Sequence, residues 1–149
     1  GSQLPQPTKL TAHEQYSYMS LWCLMAAPLF FSGDMERLDK FTLNVLCNPE
    51  VIDIDQDPLG KQARPLLHNE EVFILAKPLE DGSVAVGLFN LAETERRVSV
   101  SWEQIGLNGP QRVRDLWRHK DLGMADGAFG ARIDRHGVKL VRLWAKGDE

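Results

Sequence analysis

Aspartate side chains are the first groups in this sequence that could do chemistry. Asp34 lies three positions after the end of the apolar residues 29–31. A side chain at the carboxyl end of a barrel strand faces the substrate site of that barrel, so Asp34 is a candidate to lie just behind a substrate pocket. The competing interpretation is that Asp34 begins the next helix, because the first turn of a helix favours negative charge. We favour the helix-capping interpretation.

Three more aspartates, Asp53, Asp55 and Asp57, alternate along the sequence and resemble a spaced acidic cluster that could bind calcium. The glycine and the terminal glutamate of an EF-hand loop are missing, so the pattern favours a helix end followed by a turn. The histidines also lack the spacing of metal ligands. They are His13, His68, His119 and His136. We expect no metal, no cofactor, and surface positions for His13 and His136.

Large aromatic side chains could form stacking platforms for sugar rings. The candidates are Trp22, Trp102, Trp117, Trp144, Phe89 and Phe129. Each tryptophan lies on a strand with alternating apolar residues or on a buried helix, and large aromatic residues dominate the energetics of protein cores. We therefore favour core positions over sugar binding.

The composition is that of a globular protein. Apolar residues make up 43% and charged residues 26% of the 149 residues, and the net charge is −4. This acidic balance argues against nucleic acid or an anionic membrane as a partner. Pro28 interrupts the most apolar stretch, so no membrane span is expected, and residues 1–7 do not have the pattern of a signal peptide. Cys23 and Cys47 lie in apolar helical contexts, which favours buried thiols over a disulfide bridge.

The first part of the chain alternates between helix and strand. Thr11 and Glu14 form a capping box that opens a helix over residues 14–26, and Pro28 stops it. A short buried strand at residues 29–31 and a second helix at residues 35–46 follow. Asn48 and Pro49 then open a third helix over residues 50–55. This alternation is typical of the end of a (β/α)8 barrel, and the turn at residues 57–60 places a domain boundary after residue 63.

From residue 64 onward the apolar residues alternate with a period of two. The pattern predicts strands at residues 71–77, 84–89, 97–102, 111–117, 128–133 and 137–144. A tight hairpin turn at residues 80–83 joins the first two of these strands. Several short strands without helices indicate an antiparallel β-sandwich over residues 64–149. The fold class is therefore mixed but mainly β, an α/β barrel end followed by a sandwich.

Several segments resemble the carboxy-terminal part of glycoside hydrolase family 27, the α-galactosidases. They are LTAHEQYSYMSLWCLMAAPLFFSGDMERLD, NPEVIDIDQDPLGKQA, KPLEDGSVAVGLFN, VRDLWRHKDL and HGVKLVRL. Together they extend over nearly the whole chain after its first residues. The most specific of them is QDPLGKQ, which follows a helix–strand–helix unit.

The resemblance implies a (β/α)8 barrel followed by an antiparallel sandwich. Such enzymes hydrolyse terminal α-D-galactosides with retention, and two aspartates serve as nucleophile and as general acid/base. In the family both aspartates and a substrate-contacting Asp-Pro-Asp-Met-Leu motif precede the segment that corresponds to Thr11. We therefore expect no catalytic residue in this chain. The chain would act as structural support for a barrel, and the barrel would bind the α-galactoside. The resemblance also implies secretion or a periplasmic location, without choosing between them.

A second interpretation is a stand-alone carbohydrate-binding or interaction module, with the sandwich as the binding domain. The barrel interpretation has a physical consequence that this alternative lacks. A helix that is apolar on every side and a lone buried strand need neighbours. We therefore expect exposed apolar surface, and self-association through it, around Leu21, Leu24, Leu29 and Phe31.

Overall fold

The computed structural model describes residues 11–25 and 48–145. Its helices are α1 (Ala12–Leu24), α2 (Pro49–Asp55) and α3 (Trp102–Ile105). Its strands are β1 (Arg64–His68), β2 (Val72–Pro78), β3 (Val84–Asn90), β4 (Arg96–Ser101), β5 (Gln111–Asp115), β6 (Lys120–Ala125), β7 (Ala128–Ile133) and β8 (Val138–Ala145). The strand expected at residues 29–31, the helix expected at residues 35–46, Asp34 and Cys47 lie outside the described residues.

Both predicted helix starts are confirmed by their hydrogen bonds. The Thr11 hydroxyl accepts from the Glu14 amide at 3.2 Å, and the Glu14 carboxylate accepts from the Thr11 amide at 3.0 Å. At α2 the Asn48 Oδ1 accepts from the amides of Glu50 and Val51 at 3.1 and 3.3 Å. These bonds satisfy amides that have no partner inside their helix, so each helix begins where its capping residue stands.

The strands form an antiparallel β-sandwich, as the sequence predicts. Six strands pair in the order β1-β2-β3-β8-β5-β6, and β4 pairs with β7 in a second sheet. Each of these pairs is antiparallel. The predicted hairpin is present, because β2 and β3 pair from Val72 opposite Asn90 to Pro78 opposite Val84.

Three elements of the sandwich differ from the sequence prediction. The strand predicted over residues 97–102 ends at Ser101, because the Ser101 hydroxyl and Gln104 form a capping box that begins α3. Strand β1 was not predicted, since it contains Pro65 and is largely exposed at the sheet edge. Strand β6 was not predicted either, because its residues are almost all exposed and show no alternation.

The six-stranded sheet is buried on both faces around its centre. Its inner face packs against the two-stranded sheet and contains Ile74, Ala76, Val84, Val86, Leu88, Val113, Val141 and Leu143. Its opposite face, called the outer face below, packs against α1 and α2 and contains Leu75, Leu79, Ala85, Phe89, Leu116 and Leu140. All seven residues of β3 are buried as a result.

Leu24 of α1 is fully buried against the outer face, so the expectation that it would be exposed is wrong. Gly87 of β3 makes this contact possible. A Cβ atom at that position would lie 2.5 Å from the Leu24 Cδ1 atom. Leu21 is 36% exposed, whereas Leu29 and Phe31 lie outside the described residues. The apolar side of α1 therefore has a partner within this chain, the sandwich itself.

Lys77 of β2 is completely buried on the outer face. Its ammonium donates to the carbonyl oxygen of Cys23 at 3.4 Å and to the carbonyl oxygen of Ile54. These carbonyls belong to the last turns of α1 and α2, where the helix dipole is negative and carbonyls lack helical partners. Burial lowers the pKa of Lys77, while the nearby carboxylates of Asp55 and Asp57 oppose that shift. One buried cation thus joins both helices to the sheet.

We predict that Lys77→Met lowers the free energy of unfolding by about 1 to 3 kcal/mol, because the substitution leaves two buried carbonyls without their donor. Urea denaturation followed by circular dichroism measures the change. The matched control is Lys61→Met, which removes the same charge from an exposed position and should alter the stability by much less. Equal stability of the two variants would contradict the role given to Lys77.

Candidate functional site

The surface along which α1 and α2 meet the outer face of the sheet, called the helix–sheet junction, contains most of the long-range polar contacts of the helices. Glu50 in the first turn of α2 is the centre of one group. Its carboxylate accepts from Arg114 Nε at 2.8 Å and from Arg114 Nη2 at 2.7 Å. The His119 ring lies 2.7 Å from the same carboxylate. This bidentate pair fixes α2 on β5 with a defined orientation.

The electrostatics of this group follow from the same contacts. The Arg114 guanidinium, helped by His119, lowers the pKa of Glu50 although partial burial acts in the opposite direction. The Glu50 carboxylate in turn raises the pKa of Arg114. Both side chains are therefore charged at neutral pH, and their pair is one-quarter exposed on each side.

His136 forms the corresponding contact at α1. Its backbone has a φ of +56°, which is unusual for a residue other than glycine. The His136 Nδ1 atom lies 3.3 Å from the Glu14 carboxylate of α1, and Nε2 lies 3.0 Å from Glu93. The Ser17 hydroxyl donates to the His136 carbonyl at 2.7 Å. The prediction of a surface position for His136 therefore describes only part of its role. Its side chain is 25% exposed, and its ring also joins α1 to the sandwich.

His13 and His68 are simpler cases. The His13 side chain is 52% exposed and pairs with Asp134 at 3.2 Å, so its predicted surface position is confirmed. The exposed His68 ring lies against Phe73, with 4.5 Å between the ring centroids. The described residues contain no group of three His, Cys, Asp or Glu side chains that could hold a metal ion.

Of the three alternating aspartates, Asp57 has structural contacts. The Asp57 carboxylate accepts from the amides of Leu59 and Glu80 at 3.1 and 3.0 Å. It therefore closes the turn of the QDPLGKQ segment and attaches it to the β2–β3 hairpin. Burial raises the pKa of Asp55, whose Oδ1 atom has no hydrogen-bond partner within the described residues. Asp53 is exposed. The prediction of a helix end followed by a turn agrees with this geometry.

The only described cysteine, Cys23, is a buried free thiol, as predicted. Burial, with a smaller contribution from the Asp55 carboxylate, raises its pKa to about 12. Because the thiolate is the nucleophilic form, this thiol is unreactive at neutral pH. Cys23 therefore serves as a packing group in the interior of the junction.

The tryptophans divide between core and junction. Trp102 is 3% exposed in the core. Trp117 packs edge-on against Tyr16 with ring centroids 4.9 Å apart, and its indole donates to the Ser20 hydroxyl at 2.7 Å. Trp144 is only partly buried and contacts two arginines, so the core prediction is wrong for it. The side chain of Trp22 lies outside what the structure describes.

Among the aromatic candidates, Phe89 is a core residue, as predicted, whereas Phe129 is only partly buried. Phe89 is 4% exposed on the outer face, and Phe129 packs against the inner core.

Comparison with protein families gives two matches. Residues 7–57 match the family described as alpha galactosidase A, and residues 69–143 match the alpha galactosidase C-terminal beta sandwich domain. These two matches correspond to the carboxy-terminal portion of a glycosidase with a sandwich domain. The chain belongs to glycoside hydrolase family 27, the family of α-galactosidases.

Individual relatives agree with this assignment. The chain is 36% identical over 136 residues to the α-galactosidase of Cyamopsis tetragonoloba, and the match includes 90% of this chain and 33% of that protein. It is 38% identical over 136 residues to a probable α-galactosidase of Dictyostelium discoideum, with coverage of 87% and 35%. The chain therefore spans about a third of the length of these curated relatives.

Experimental structures show the same fold. A family 27 β-L-arabinopyranosidase from Geobacillus stearothermophilus superposes with a TM-score of 0.89 at 30% identity, over 97% of this chain and 33% of that one. α-Galactosidase I from Mortierella vinacea gives a TM-score of 0.85 at 22% identity, over 90% and 36% of the two chains, which is evidence of the fold alone. None of the helices in residues 11–25 and 48–145 is long and apolar enough to span a membrane.

The Glu50–Arg114 pair predicts acid sensitivity of the junction. The pKa of Glu50 is lowered below its ordinary value of 4.5, so its contribution to stability is present above that value and is lost as the pH falls through the lowered pKa. We expect Glu50→Gln to cost about 1 kcal/mol near neutral pH, allowing for partial exposure. The cost should disappear once the pH falls below the lowered pKa of Glu50.

Urea denaturation across this pH range measures the difference between the two proteins. The matched control is Glu103→Gln, which changes an exposed glutamate in the first turn of another helix. A cost of Glu50→Gln that is independent of pH would contradict the assignment of the ion pair.

Proposed function

We propose that this chain is the carboxy-terminal part of a retaining α-galactosidase that hydrolyses terminal α-D-galactosides. Residues 1–63 would be the last helix–strand–helix unit of the (β/α)8 barrel, and residues 64–149 the sandwich domain. Family membership supports this proposal, and so do curated relatives named as α-galactosidases. A structural relative named as a β-L-arabinopyranosidase indicates that members of this family differ in the sugar they accept.

The observation that carries the proposal is the attachment of the helices to the sandwich. The segment that matches the alpha galactosidase A family includes α1 and α2, and both helices pack on the outer face of the sheet. Lys77, the Glu50–Arg114 pair and His136 each contribute contacts that reach from a helix to the sandwich. A barrel that continues from these helices would be held rigidly to its second domain.

The role of this chain in the reaction is therefore positioning. Retaining hydrolysis needs two carboxylates about 5 Å apart, one as nucleophile and one as acid/base. By resemblance both lie upstream of Thr11, so we assign no catalytic role to the described aspartates. Asp57 closes the turn after α2 and binds the β2–β3 hairpin. Asp34 remains a candidate for a position near the substrate pocket, and helix capping remains the interpretation that we favour for it.

We predict that the purified 149-residue chain does not hydrolyse an aryl α-galactoside, because neither catalytic aspartate has a counterpart in it. Release of the phenol measures the activity of the chain and of an Asp34→Asn variant, and both should stay at the background rate. Turnover by the chain that is abolished in the Asp34→Asn variant would contradict the proposal.

The binding-module alternative has its own measurement. Titration with galactose, followed by tryptophan fluorescence, should show no saturable change if the sandwich only supports a barrel. The contacts of Trp102, Trp117 and Trp144 with protein groups favour that outcome. A saturable change would favour the binding module.

A further inference from the structure

A cavity of about 340 Å³ lies on the outer face, beside α2. Its lining includes Arg112, Arg114, Arg142, Trp144, Glu50 and Asp53. Three guanidinium groups around one space are unusual in a chain with a net charge of −4.

The arginines occupy neighbouring positions of two paired strands. On β5 and β8, Arg112 stands opposite Trp144, and Arg114 stands opposite Arg142. Like charges that face each other directly across an antiparallel pair destabilise a sheet. Negative charge beside these three arginines would therefore stabilise this part of the sheet.

Two of the three arginines form ion pairs with carboxylate side chains. Arg114 binds Glu50 through two nitrogen atoms and lies 3.3 Å from Asp121 through the third. Arg142 donates to Asp81 and to the Ser83 hydroxyl, both at 2.9 Å. These contacts use every nitrogen of Arg114 and leave Nη1 of Arg142 without a hydrogen bond among the described residues.

Arg112 is different, because no ion pair or hydrogen bond within the described residues involves its side chain. Its Nε atom is buried and has no partner there. Its guanidinium lies over the Trp144 ring, 4.3 Å from the centroid, and the Arg142 guanidinium lies 4.9 Å from the same ring. Stacking on an indole restricts a guanidinium without using its N–H groups. Arg112 is thus held in place with its terminal donors unused.

We propose that Arg112, together with the free nitrogen of Arg142, forms a binding site for a small oxyanion such as a phosphate, sulfate or carboxylate group. The planar guanidinium binds such groups through two parallel hydrogen bonds. Glu50 and Asp121 do not compete for the ligand, because Arg114 pairs with both. Asp53 does compete: its carboxylate lines the cavity and repels an anion. The site does not depend on glycosidase activity of this chain.

The test is a titration of the isotopically labelled chain with inorganic phosphate, sulfate or acetate, followed by nuclear magnetic resonance. The reporter is the indole N–H of Trp144, because both guanidinium groups lie within 5 Å of the centre of this ring and the N–H donates to the Asp81 carboxylate. We expect a saturable shift of this resonance. The anion that binds most tightly identifies the ligand class, a tetrahedral oxyanion or a carboxylate.

Three variants decide the assignment. Arg112→Met should weaken binding at least about tenfold, the range expected for loss of a charge-assisted pair. Arg132→Met, which removes an exposed arginine that pairs with Glu95, should leave binding unchanged. Asp53→Asn should tighten binding by about fivefold, because it removes a nearby negative charge.

The absence of a saturable shift with all three anions would overturn the proposal, as would wild-type affinity of the Arg112→Met variant. Circular dichroism shows whether that variant folds. If it does not fold, the Asp53→Asn variant decides alone, and an unchanged affinity there overturns the site.

Discussion

The buried ammonium of Lys77 is the constraint on which the arrangement of helices and sheet depends. A charged group without solvent must be surrounded by acceptors, and here the acceptors are carbonyls in the last turns of two helices. Moving either helix away from the sheet would break its hydrogen bond to this ammonium. Leu24 of α1 also packs directly on Gly87, which has no side chain. The distance between α1 and the sheet is therefore set both by the hydrogen bonds of Lys77 and by this close contact.

Features that depend on neighbouring residues could be predicted from the sequence. The capping box of Thr11, the amide cap of Asn48 and the hairpin between β2 and β3 each involve residues a few positions apart. Alternating apolar residues also predicted most strands and the sandwich. The resemblance identified the family, since its motifs extend through both the helical part and the sheet.

Features that depend on distant residues could not be predicted. Glu50 and Arg114 are 64 positions apart, and His136 and Glu14 are 122 positions apart, so no local pattern connects them. The burial of Leu24 was missed for the same reason: its partner is Gly87 of the sheet. Strand β6 lacks alternation because nearly all of its side chains face solvent. The residues around the cavity beside Trp144 are also distant in sequence, and the pairing of β5 with β8 brings them together.

The position of β8 in the sheet has a consequence for how the protein is made. This strand comes last among the described elements, yet it lies at the centre of the sheet between β3 and β5. During synthesis on the ribosome, β1 to β3 and β5 to β6 are available as two separate hairpin groups with exposed apolar edges. The six-stranded sheet becomes continuous only when β8 leaves the exit tunnel, so folding of this sheet waits for that strand.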